Sequence, residues 1–255
     1  MQIDYFSAID NVTGRTATLL PELRPYWDAY TSPDNQATMQ PLVVDVDIDS
    51  PLGGYHPLTL DGLLAYAVVN KAMQGNQLDN SASPYLLPVP LRLLWRAPSG
   101  MPLWAANWFQ PVGANRKISI WWHKRAIKPD HAELRKGISK SSISEVAGRF
   151  KEKRIPMPAQ IASTWTTTCI GDADEIARLL QSVDAVGKKR NARVSRWIIR
   201  KAETFSFSRP IPATYIHERE KAFPLDVQLA AWTPPYWDSV PECKALCAIE
   251  PLPTN

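Results

Sequence analysis

Residues 172–201 read DADEIARLLQSVDAVGKKRNARVSRWIIRK. The run changes character twice. Over 172–183, Ile176, Leu179, Leu180 and Val183 recur at helical spacing, and Asp172 with Glu175 resembles a capping box, so the sequence predicts an amphipathic helix. Over 187–201 seven Lys or Arg follow with no acid, after the single glycine Gly187. A strand is expected over 194–207. Helix, basic loop and strand in that order suit the second half of a split βαβ unit.

The first half lies upstream. In PLVVDVDID (41–49), Val44, Val46 and Ile48 alternate with Asp45, Asp47 and Asp49, which predicts a strand with one buried face. After the turn SPLGGYHP (50–57), TLDGLLAYAVVNKAM (59–73) places Leu60, Leu63, Leu64, Ala67 and Val68 on one helical face. Thr59 suits the N-cap, and Asp61 suits the positive end of the helix dipole. Strands are expected near 86–96, 102–110, 116–126 and 159–171, the last rich in β-formers. The fold expected is therefore α+β, a ferredoxin-like domain over 41–208. A basic, partly helical finger is inserted at about 127–156, where Ser142 and Glu145 suggest a capping box. Residues 1–40 read as an N-terminal arm packing through Tyr26, Trp27 and Tyr30, with TSPDNQ (31–36) as a linker. Residues 209–255 read as a proline-rich β region on the core.

At 255 residues and 45% hydrophobic, the chain can bury a sizeable core. The 23 prolines predict ordered loops and few long helices. No apolar run approaches the roughly 18 residues of a membrane span, and MQIDYFSAID lacks the features of a signal peptide. Three cysteines, Cys169, Cys243 and Cys247, point to reduced thiols in a cytoplasmic protein. No GxxxxGK[ST], GxGxxG, HExxH or GxSxG occurs, and no cofactor or metal is expected.

Charge is unevenly placed. Net charge is +4, yet residues 115–154 carry twelve Lys or Arg against four Asp or Glu, and residues 187–201 carry seven against none. The rest of the chain is thus −11, an acidic body with two basic segments, which indicates a localised polyanion.

Three segments share a resemblance. GKKRNARVSRW (187–197) resembles the glycine-rich loop with which the CRISPR-associated RAMP superfamily cradles RNA. HPLTLDGLLAYAV (56–68) and TPPYWDS (233–239) resemble segments of the RAMP subunit of type IV CRISPR effector complexes, the counterpart of the subunit that caps the guide RNA 5′ handle. The resemblance covers residues 41–240. It implies a non-catalytic crRNA-binding subunit that meets the backbone-forming and large subunits and contacts target DNA. It implies RNA contacts at Gly187, Lys188, Lys189, Arg190, Asn191, Arg193, Arg196, Trp197 and Arg200. The finger would add Trp122, His123, Lys124, Arg125, Lys128, Arg135, Lys136, Lys140, Arg149, Lys151, Lys153 and Arg154. One of Trp121 and Trp122 would stack a base while the other packs inward, because strand neighbours face opposite ways; the alternative reading packs both in the core, and Trp197 likewise.

This loop keeps one glycine where the family has several, so fewer positive-φ positions and more side-chain contacts are expected. Some RAMP proteins cleave RNA with a histidine. The alternative reading is therefore a metal-independent endoribonuclease using His56 beside Tyr55. His123, His131 and His217 form no pair by spacing. A third reading is a basic scaffold without RNA specificity. The alternating Asp45, Asp47 and Asp49 read as the solvent face of an edge-like strand rather than a metal cluster.

Overall fold

The computed structural model describes residues 17–54, 57–74, 78, 84–124, 153–220, 227–234 and 244–248. It is a mixed α/β structure whose sheets are mostly antiparallel. In chain order, helices α1 (Arg24–Thr31) and α2 (Pro33–Thr38) precede strand β1 (Gln40–Ile48), β2 (Leu52–Gly53) and helix α3 (Leu60–Ala72). Strands β3 (Leu93–Arg96), β4 (Pro102–Trp104), β5 (Gln110–Val112), β6 (Arg116–Lys124), β7 (Lys153–Ile161) and β8 (Thr164–Gly171) follow. Helix α4 (Ala173–Leu180), β9 (Ala185–Val186) and β10 (Ala192–Lys201) complete the central part. Then come β11 (Ile211–Pro212), helix α5 (Ala213–Glu220), β12 (Val227–Ala231) and β13 (Lys244–Ala248).

The main sheet has the order β5-β8-β1-β10-β9. β1 sits in the middle, antiparallel to β8 on one side and β10 on the other. Its alternation sorts the two faces. Leu42, Val44, Val46 and Ile48 are buried against Leu64 and Val68 of α3 and Ile176, Leu179 and Leu180 of α4 in one apolar cluster. Thr59 caps α3 by accepting from Gly62 N–H at 3.2 Å, and Asp172 caps α4 by accepting from Glu175 N–H at 3.1 Å.

β1 is thus a central strand, not the edge-like one its acids suggested. Asp45 is only 7% exposed. Its carboxylate pairs with Arg200 of β10, Asp47 pairs with Arg196, and Asp49 accepts from the Ser195 hydroxyl. The acids therefore tie β1 to β10 and are not grouped as a metal site.

Four further expectations change. The region of residues 31–36 is no linker: Ser32 caps α2 by accepting from Asn35 N–H at 3.3 Å, with Pro33 at the first helical position. Leu23, Trp27 and Tyr30 belong to the main core, where Trp27 packs edge-on to Trp104 at 5.9 Å. The strand expected at 159–171 is two strands, β7 and β8, broken at Ala162 and Ser163. β7 starts at Lys153, within the span expected for the finger, and pairs along its length with β6. Within the expected turn at 50–57, Leu52 and Gly53 pair with Gln160 and Ala159 of β7.

The C-terminal strands form a three-stranded sheet, β11-β13-β12, over a second apolar cluster of Met101, Leu103, Ile211, Tyr215, Ile216, Trp232 and Cys247. A fully buried ion pair joins this region to the main domain: Arg209 Nη1 lies 2.8 Å from Asp61 Oδ2. Thr233 donates its hydroxyl to the Pro102 carbonyl at 2.7 Å, so the start of TPPYWDS packs on the core. Among the described residues no helix is long and apolar enough to cross a membrane. Cys169 and Cys247 are buried, and burial pushes the Cys169 thiol up to about 12.

Candidate nucleic-acid interface

The basic loop is the tip of a hairpin. β9 pairs with the start of β10 through Ala185–Arg193 and Val186–Ala192, leaving Gly187–Asn191 as the turn. Gly187 has φ +81°, a region L side chains rarely adopt. A Cβ there would also lie 2.5 Å from Asn191 Oδ1, 2.8 Å from Leu52 Cδ1 and 3.0 Å from the Gly53 carbonyl. Glycine is required twice over, for conformation and for space. Lys188–Arg190 then form a single 3₁₀ turn.

Asn191 fastens this turn to the sheet beneath. Its amide nitrogen donates to the Pro51 carbonyl at 2.6 Å, and its amide oxygen accepts from Gly53 N–H at 3.1 Å. Its side chain therefore holds β2. Arg190 takes φ +53° although it is not glycine, and it pairs with Asp184. Arg190 thus holds a left-handed conformation without being glycine, at a cost of about 1–2 kcal/mol.

Along β10 the side chains alternate except at Ser195, where the register with β1 slips by one residue and puts Arg193 on the same side as Arg196 and Arg200. Arg193 is exposed and, among the described residues, makes no ion pair. Arg196 lies 3.6 Å from Asp47, and Arg200 pairs with Asp45. Asp47 is partly exposed and the Arg196 guanidinium largely so, which makes that pair weak, whereas Arg200 reaches from solvent to the nearly buried Asp45 carboxylate. Trp197 lies on the opposite, helix-covered face. Its indole N–H donates to the Val183 carbonyl at 3.1 Å, and its ring lies 6.2 Å from Phe109. Trp197 is half-buried there, as the core reading of this residue expected.

The loop, both helices and all of β10 fall within one family-wide sequence match. The profile described as CRISPR type IV associated protein Csf3 fits residues 40–248. The chain belongs to that family. No curated protein matches it.

The Csf3-family chain carries its second basic segment on a two-stranded ribbon. β6 and β7 pair from Arg116–Ile161 to Lys124–Lys153. Trp122, His123, Lys124, Lys153 and Arg154 stand at its far end by backbone register, and their side chains lie outside the described part. Arg125, Lys128, Arg135, Lys136, Lys140, Arg149 and Lys151 lie outside the described residues, as do Tyr55, His56 and His131. His217 falls in α5, its side chain likewise undescribed. The helix expected from Ser142 and Glu145 is also outside.

Sequence reasoning missed the Asn191 clamp, the Asp45 and Asp47 pairs, and the Asp61–Arg209 pair. The glycines Gly53 and Gly187 were the available signal for the first, since both mark close backbone approach.

Proposed function

We propose that this Csf3-family protein is the non-catalytic crRNA-binding subunit of a cytoplasmic type IV CRISPR ribonucleoprotein, gripping the guide RNA 5′ handle with residues 187–201. The strand order β5-β8-β1-β10, with helical crossovers through α3 and α4, supports a ferredoxin-like RAMP unit as its core. The observation that carries the reading is the hairpin tip. Its backbone is held by Gly187 and the Asn191 clamp, and the segment 187–201 contains no acid. A pre-ordered cationic turn binds phosphate without an ordering cost and positions RNA without reading its bases. Phosphate contacts fall chiefly to Lys188, Lys189 and Arg193. Arg196 joins when phosphate displaces Asp47, and Arg200 adds its exposed N–H donors while keeping its pair with Asp45. The backbone-forming and large subunits complete the complex, and the finger reaches DNA flanking the target.

The test is to purify the protein with its partners from its native host and sequence the RNA that accompanies it. Uniform guide RNAs sharing one 5′ end are expected. Random fragments, or no RNA, would overturn the reading. A His56→Ala variant is expected to leave those ends unchanged; loss of the cut with retained binding would favour the endoribonuclease instead.

A further inference from the structure

The β6–β7 ribbon has two unlike faces. On one, Met157 and Ala159 are buried, with Ile118, Ile120 and Ile155 half-buried, and Met157 and Ile120 close on Gly53. On the other, Lys117, Ser119 and Trp121 are exposed, opposite Gln160, Pro158 and Pro156 in register. Trp121 is 61% exposed, alone among the described tryptophans in being classed as exposed. Ribbon residues 116–124 and 153–161 contain five Lys or Arg and no Asp or Glu.

Trp121 is the most exposed large hydrophobic residue among the described ones and stands on a ribbon without acids, so its ring is open to a partner. The charge decides which partner. An anionic chain with flat apolar groups matches a cationic ribbon around an exposed indole, and single-stranded nucleic acid is such a chain. We infer that Trp121 is a base-stacking site for a single-stranded nucleotide, with the ribbon cations holding the flanking phosphates. This rests on the reading that the protein binds RNA, and adds a second contact outside the 187–201 hairpin. Pro156 stands directly opposite Trp121 in the ribbon register, on the same face. Trp122, its neighbour in β6, stands in register with Ile155.

The experiment measures binding of the full chain to single-stranded oligouridylate and to an abasic oligomer with the same sugar–phosphate backbone. Trp121→Ala is expected to weaken oligouridylate binding about 5- to 150-fold, the range of one lost base stack. It should leave abasic binding and the salt slope unchanged, because stacking releases no counterions. Trp121→Phe should retain most of the affinity. Equal affinity of Trp121→Ala and wild type would overturn the site, as would equal losses on both oligomers. Normal RNA binding with lost association to other subunits would overturn it too, by making the face a protein-docking surface. A wild type that binds no oligouridylate overturns the site; the 5′-handle reading falls separately, by the absence of guide RNA from the native complex.

Discussion

Removing Arg209 tests how the C-terminal region is held to the main domain. Its side chain is 1% exposed and that of Asp61 0%. Arg209 Nη1 meets Asp61 Oδ2 at 2.8 Å, and Nη2 donates to the Trp104 carbonyl at 3.0 Å. Arg209→Met leaves a carboxylate buried without its counter-charge. Breaking a buried pair from one side costs about 3–5 kcal/mol, of which most is the stranded charge. The Trp104 carbonyl also loses a donor, a partly overlapping loss of about 1–3 kcal/mol. Taking about 4 kcal/mol together, at about 2–4 °C per kcal/mol for a chain of this size, Tm should fall by about 8–16 °C. Arg209→Met combined with Asp61→Leu should recover most of that loss, since apolar replacement of a whole buried pair is often neutral or better. Gly62 N–H would keep Thr59 Oγ1 as its acceptor. Calorimetry and urea unfolding of the two single variants and the double give the coupling directly. A single variant losing less than about 1 kcal/mol, or a double losing the sum of the singles, would refute the reasoning.

Other perturbations follow from the hairpin and the first helix. Gly187→Ala should cost about 1–3 kcal/mol and detach the turn from β2, read as faster amide exchange at Gly53, whereas Arg190→Gly should cost little because it relieves a positive φ. Arg193→Gln should lower the salt slope of RNA binding by about 0.7 for its one phosphate contact, and Arg196→Gln by less because Asp47 already holds that charge. Burial opposes ionisation of Glu175, but hydrogen bonds from Arg178 and Tyr30 outweigh it and hold its carboxyl below the ordinary value. That stabilisation is present above the ordinary carboxylate range and lost as pH falls through the lower folded value. Tyr30→Phe removes one donor, so the midpoint of acid unfolding should move to higher pH.

Local periodicity carried the two capped helices and β1 because each buries one face and polar residues mark the other. It failed where a residue type has two uses. Ser32 and Pro33 suit a turn as well as a helix start, so α2 looked like a linker. A continuous run of β-formers hid the break at Ala162 and Ser163. Alternation identified β1 but not its neighbours; those depend on long-range register, which put Arg196 and Arg200 beside Asp47 and Asp45. Asp61 and Arg209 stand 148 residues apart with no local mark of their pairing. At the candidate interface the cations were legible by composition, while direction was not. Trp197 turns inward because β10 pairs Val46 with it. Trp121 turns outward because Met157 and Ala159 occupy the other side of the ribbon.

The family match opens at residue 40, yet the fold leans on what comes before. Trp27 carries Trp104 on one side and the Arg96 guanidinium over its ring at 4.8 Å, and Gln36 donates to the Leu91 carbonyl while accepting from Leu93 N–H. The two short helices act as a buttress against the segment that leads into β3. A chain trimmed to the stretch by which its family is recognised would keep every residue of the basic hairpin and still lose the wall behind it. The unit of recognition and the unit of folding have different borders here, and any transplant of this hairpin must carry the larger one.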